Sequence, residues 1–284
     1  MSGAAQTSAR DIVENRSKLS TAAKLQLLYL SLRENGLRWT SALVGYYVFS
    51  AISERVFAYV QRSKVNRGLP GTSSPRMNEL IWTTWDWSTA GEEWTPSEAW
   101  KKSLIVCVLV RYIPANSVVL EIGPGAGRWT EALLPRSKQL IGVDISESCI
   151  EICRRKFAAA SNATFLKTLG SELSGIPDRS IDAVWSFDVF VHINQREAAA
   201  YIEEFARVWR PGAIGVIHHG SGAGIHGGWR SDLTSESFAR LLMKHGFAIL
   251  DQFQNWEDGN ATHSVGLYRD VITVFDAPHC FPGR

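Results

Sequence analysis

The chain has 284 residues, 45% of them hydrophobic and 20% charged, enough for one large core with a smaller appendage and too apolar for a disordered chain. Lysine and arginine total 30 against 28 acidic residues, a formal charge of +2, so no broad positive field is present and no nucleic-acid partner is expected. The four cysteines (Cys107, Cys149, Cys153, Cys280) are too few and too scattered for a disulfide framework and fit a reducing, cytoplasmic setting.

Residues 1–16 are polar, carry Arg10, Asp11 and Glu14, and lack the apolar run of a signal peptide. From Leu19 to Gln61 the spacing of Leu25, Leu28 and Leu32 predicts helix, with Gly36 as a stop between two pieces. Within it, residues 41–60 nearly match the length of a bilayer span, but Glu54 and Arg55 would be costly in lipid. A buried or interfacial helix is expected; it could dimerise the chain, cover a cleft or touch a membrane surface weakly. Residues 62–76, with Gly68, Pro70, Gly71 and Pro75, read as a linker, which sets an N-terminal helical arm and linker at 1–76.

Residues 77–100 form a tryptophan-rich segment: Trp82, Trp85, Trp87, Trp94 and Trp100 alternate with Asp86, Glu92 and Glu93. Such rings suit a surface that is partly apolar and partly wet; the alternative is a cap packed over a domain edge. Residues 101–284 alternate short apolar runs with amphipathic stretches, which predicts a doubly wound α/β domain with a mostly parallel sheet. The expected strands are Val118–Ile122, Gln139–Val143, Thr164–Lys167, Ile181–Ser186, Ala213–His218, Ala248–Phe253 and Val271–Phe275. Helices are expected over Ser146–Ala160, Gln195–Trp209 and Ser235–His245. Cys149 and Cys153, four apart on the first of these, could share a metal, but buried thiols are the better reading because no second pair completes a zinc set.

The strongest local signal is VVLEIGPGAGRW (Val118–Trp129), a strand that runs into Gly123, Gly125 and Gly127 and then opens a helix. Glycines permit the strained angles of such a turn and let a ligand press on the backbone. The next strand, QLIGVD, ends in Asp144, placed to bind both hydroxyls of a ribose, so a nucleoside-bearing ligand is implied. A nicotinamide or flavin fingerprint calls for glycine or alanine where Arg128 stands, and Glu121 is foreign to it.

LEIGPGAGRWTEAL and LIGVDISESCIEICRRKF resemble the first two motifs of class I methyltransferases that use S-adenosylmethionine (SAM), and SIDAVWSFDVFVHI and RVWRPGAIGVIHH continue the likeness. The resemblance implies a Rossmann-like fold and SAM as cofactor, leaving S-adenosylhomocysteine (SAH). By it, Gly123, Gly125 and Gly127 pass close to the methionine portion, Glu121 helps order the loop near the amino group, Asp144 takes the ribose hydroxyls and Ile145 packs on the adenine. Where relatives often place an acidic residue for the adenine amino group, this chain has Leu169; the backbone around Gly170 and Ser171 is the substitute.

A hydroxyl acceptor needs a base, and histidine is poised for that near neutral pH. Ligands of open α/β sheets sit at the carboxyl ends of the strands, where this chain has Asp188, His192, His218, His219 and His226. Alternation turns His218 and His219 to opposite faces; His219 is favoured because it shares the parity of Ile217, with His192 second and Asp188 beside them. Asp188, His192 and His219 could instead hold a divalent cation, though a metal is not favoured. The glycine-rich loop Gly220–Ser231 ends in Trp229 and Arg230, candidate substrate residues. The expected activity is His-assisted transfer to a hydroxyl of a small-molecule or glycan acceptor, the FVHI and IHH patterns resembling bacterial glycan and secondary-metabolite methyltransferases. The alternatives are an N-methyltransferase on an amine and a non-catalytic methyltransferase-like subunit.

Overall fold

In a computed structural model, residues 20–67, 69, 73–222, 230–265 and 270–277 are described. The chain divides into two compact units after Leu69. In the first, a helix of 47 residues, α1 (Thr21–Arg67), leaves helical geometry at Gly36 (φ 77°, ψ 170°), an angle pair open to glycine and strained for other residues. The Ser31 and Thr40 hydroxyls meet at 2.8 Å across this break. Among the described residues no helix is long and apolar enough to cross a membrane.

The second unit begins with α2 (Pro75–Thr84), capped by the Ser74 side chain on the Met77 N–H. It continues with α3 (Glu98–Leu104), which runs on through a π-helical turn (Ile105–Leu109) and a last turn (Val110–Tyr112). Then follow β1 (Val118–Ile122), α4 (Thr130–Leu133), β2 (Gln139–Asp144), α5 (Glu147–Lys156), β3 (Ala163–Lys167), β4 (Ile181–Phe190), α6 (Gln195–Val208), β5 (Trp209–His219), α7 (Ser235–Lys244), β6 (Ala248–Phe253), a small hairpin β7 (Asn255–Glu257) and β8 (Thr262–Ser264), and β9 (Val271–Asp276). The main sheet has the order β3-β2-β1-β4-β5-β9-β6. Strands β1 to β5 are parallel and β9 is inserted antiparallel between β5 and β6.

The doubly wound sheet and the N-terminal helix are those expected. The chain order reverses between β1 and β4, the position where open α/β sheets leave a crevice at their carboxyl ends. Both faces of the sheet are covered, so each strand sorts its residues by parity into two cores. Leu120, Val184 and Ile217 face a core with Phe205 of α6 and Phe238 of α7. Val119, Trp185 and Val216 face a second core with Trp100 and Leu104 of α3, Trp129 and Ile150 of α5. Two strands exceed their sequence pattern by more than one residue: β4 continues to Phe190, and β5 begins at Trp209.

Candidate active site

The turn after β1 is built by three glycines at positive φ: Gly123 (69°), Gly125 (57°) and Gly127 (83°). They serve different neighbours. A Cβ on Gly123 would lie 2.3 Å from Cγ2 of Val189, one on Gly125 3.0 Å from the Trp87 ring, and one on Gly127 2.5 Å from the Phe157 ring. Asp144, at the end of β2, closes the turn: its Oδ2 accepts from the Gly125 N–H at 3.2 Å and its Oδ1 from the Ser146 N–H at 2.9 Å. Burial raises the Asp144 carboxyl to about 6 against these stabilising hydrogen bonds. Burial likewise raises Glu121 to about 7, although Thr130 donates to its Oε2 at 2.6 Å.

Gly123, Gly125 and Asp144 open onto a cavity of about 730 Å³. Ile122, Gly123, Gly125, Asp144, Ile145, Gly170 and Ser171 line one part of it; Trp82, Trp85, Trp87, Trp94, Trp100, Trp129 and Phe187 line another. The tryptophan segment is tied down by polar atoms at both ends of the crevice. Thr83 Oγ1 donates to Ser146 Oγ at 3.3 Å, Asn78 Nδ2 to the His192 carbonyl at 3.0 Å, and Trp87 Nε1 to the Trp82 carbonyl at 2.9 Å. The rings of Trp82, Trp85, Trp87 and Trp94 pack on one another with centroids 5.5 to 6.0 Å apart.

The cavity also holds a chain of charges. Arg128 is paired with Asp188, Asp188 lies beside His218, His218 beside Asp270, and Asp270 is paired with Arg230. His218 Nδ1 is 3.1 Å from Oδ1 of Asp188 and Nε2 is 3.4 Å from Oδ2 of Asp270. Burial lowers the basicity of His218, but the two carboxylates outweigh it and hold the imidazole above its ordinary pKa. Burial also works against ionisation of Asp188, and there Arg128 and His218 prevail and hold it well below the usual carboxylate range. Asp188 itself has φ 62°, an unfavourable angle for a non-glycine residue, and such strain gathers where side chains are held for function.

Residues 119–212 match the methyltransferase domain family. A demethylmenaquinone methyltransferase from Tropheryma whipplei is 30% identical over 105 residues, 37% of this chain and 42% of that protein, so the chain spans about two fifths of the relative's length. Among solved structures, the methyltransferase held in complex with a methyltransferase activator in Haloferax volcanii superposes with a TM-score of 0.55 at 18% identity, over 70% of this chain and 98% of that one. A SAM-dependent methyltransferase from Aquifex aeolicus gives 0.50 at 17% identity, over 68% and 98%. The second unit has the fold of these methyltransferases.

Within this fold the expected residues separate into two groups. Gly123, Gly125, Asp144, Ile145, Gly170 and Ser171 line the one cavity, as do Asp188, His192 and Arg230. Glu121 and Gly127 do not: Glu121 is buried against Thr130, and Gly127 makes room for the Phe157 ring. Leu169 is 72% exposed, while Glu197 of α6 reaches the same end of the cavity and accepts from Ser171 Oγ at 3.2 Å. Trp229 and His226 lie outside the described residues.

His219 requires a correction. Its two ring nitrogens meet the Gly220 carbonyl and Thr273 Oγ1, both at 2.7 Å, and its ring packs on Phe238 at 4.3 Å. It therefore belongs to the core under α6 and α7, and burial pushes it down to about 4. The alternation is as expected, but the cavity opens from the face of Val216, so of the two neighbours His218, not His219, lines it. The trio of Asp188, His192 and His219 is for the same reason not gathered at one point, and no group of three metal-binding side chains is found among the described residues. Cys149 and Cys153 are buried, the Cys149 thiol pushed up to about 12 by burial.

Arg128, Asp270 and Glu197 were not expected in the site. Arg128 stands inside the glycine motif, where its charge was a signal. Asp270 lies outside every motif and is recognisable only as a carboxylate entering an apolar strand.

Proposed function

We propose that this chain is a SAM-dependent enzyme that moves a methyl group to a hydroxyl of a small-molecule or glycan acceptor. The observation that carries the reading is that the residues suited to a nucleoside and the aromatic wall with its ionisable groups share one cavity. Its volume lies in the upper part of the roughly 300–1,000 Å³ range of drug-sized ligand sites, which suits a cofactor together with a small second molecule.

The residues present fit SAM. Asp144 is held by backbone N–H groups rather than by a cation, so its carboxylate is suited to accept two ribose hydroxyls. Ile145 offers an apolar surface for adenine, and Gly170, Ser171 and Glu197 offer polar groups at its edge. When bound, SAM supplies an electrophilic methyl group on a sulfonium. The chain's own contribution is alignment: the glycine turn fixes one partner, the tryptophan wall holds the other and keeps water out, and a histidine receives the hydroxyl proton.

The test is titration calorimetry with SAH, and with NADH in parallel. Heat from SAH alone, saturating in the micromolar range, is the expected result. Absence of SAH binding, or equal binding of NADH, overturns the proposal.

A further inference from the structure

The second piece of α1, beyond Gly36, turns a row of large apolar side chains outward. Tyr46, Phe49, Ile52, Val56 and Tyr59 follow one another at steps of three or four residues, which places them on one face of the helix. All five are exposed, from 49% at Ile52 to 72% at Phe49. A continuous apolar stripe of this kind on a protein surface marks a place where something covers it.

The charges of the same helix say what that is. Between Thr21 and Arg67 the chain has seven basic residues against two acidic ones, Glu34 and Glu54. At about 3.6 residues per turn, Arg38 and Arg67 fall in line with the stripe at its two ends, and Glu54 falls on the opposite side of the helix. Arg55 and Arg62 flank the stripe beyond Tyr59, so its surroundings are basic and hold no carboxylate of this helix.

Three coverings can be compared. A second copy of the chain would bring the same stripe with the same arginines; laid parallel or antiparallel, Arg38 and Arg67 of one copy meet an arginine of the other, and like charges oppose the pairing. A nucleic acid would meet the arginines and leave the apolar side chains in water. An anionic lipid surface satisfies both, since acyl chains take the apolar stripe and lipid phosphates take the arginines. We infer that this face of α1 docks the chain on an anionic membrane surface. Phe49, Ile52 and Val56 form the middle of the stripe and enter the acyl boundary. Tyr46 and Tyr59, rings with a polar tip, lie at its two edges and suit the level of the headgroups. Arg38 and Arg67 extend their long side chains back to the phosphates. The helix lies along the surface rather than through it, because Glu54 and Arg55 interrupt its apolar run.

The test is co-sedimentation of the full chain with vesicles of phosphatidylcholine mixed with phosphatidylglycerol, and with vesicles of phosphatidylcholine alone. The expected result is binding to the mixed vesicles only, released by added salt. Phe49→Ser should weaken it about tenfold, and Arg38→Gln combined with Arg67→Gln should reduce its salt sensitivity. Unchanged far-ultraviolet circular dichroism of the variants checks that the helices remain. If Phe49→Ser does not fold, the wild-type chain supplies a second readout: amide hydrogen exchange over residues 46–59 slows when the anionic vesicles are added. No binding to the mixed vesicles, equal binding to phosphatidylcholine alone, full binding by Phe49→Ser, or unchanged exchange over 46–59 would each overturn the inference. So would a stable dimer in light scattering that Phe49→Ser dissociates, since the stripe would then belong to a second copy.

Discussion

Asp144 accepts from the Gly125 and Ser146 N–H groups while it faces the cavity, so one side chain both closes the glycine turn and offers itself to a ligand. Asp144→Ala removes paired hydroxyl contacts, each worth roughly 1–3 kcal/mol when charge-assisted, and is expected to weaken SAH binding about a hundredfold by calorimetry. Glu121 gives a pH prediction. It and Asp144 hold their protons to about 7 and about 6 in the folded chain, against about 4 unfolded. Their contribution to stability is therefore fully present below about pH 4 and is lost as pH rises through 6 and 7. His219, pushed down to about 4, acts in the opposite sense, since the unfolded imidazole binds a proton first as pH falls below about 6.5. Glu121→Gln keeps an oxygen for Thr130 and removes the buried charge. Urea unfolding at pH 8 should show the variant more stable than wild type by on the order of 1–3 kcal/mol, with a flatter dependence between pH 5 and 8. Equal stability at pH 8 would mean that burial does not raise the Glu121 carboxyl.

At the scale of elements, the turn between β1 and α4 depends on glycine for two separable reasons at Gly127: its φ of 83° and the Phe157 ring 2.5 Å from where a Cβ would stand. Gly127→Ala is expected to lose about 2 kcal/mol or more in urea unfolding, and adding Phe157→Leu should restore the steric part while the backbone part remains. This element was legible in the sequence because glycine spacing and strand apolarity are local. The bounds of β1 and β6 follow from their apolar runs, and the expected helices are present with ends that differ by up to four residues. The choice between His218 and His219 was not legible. Alternation states that two neighbours face apart, but here both faces of β5 are buried, so apolarity carries no label for the ligand side. Asp270 was hidden for a related reason: its partners His218 and Arg230 come from β5 and from the segment before α7, a proximity that only the inserted β9 creates.

Over the whole molecule, cofactor binding should be visible without any acceptor. SAH at about a hundred times its Kd stabilises the folded chain by about 2.7 kcal/mol, which raises Tm by ~5 °C in a thermal scan. An unchanged Tm would contradict the cofactor reading. The cavity's tryptophans add one more consequence. The indole of Trp87 sits against Gly125, and its neighbours Trp82, Trp85 and Trp94 are close enough to exchange excitation energy. A molecule that presses on the glycine turn must alter the surroundings of one ring in this coupled set, so the protein carries its own optical gauge of occupancy: its intrinsic emission should change on addition of SAH, and Trp87→Phe should mute that response.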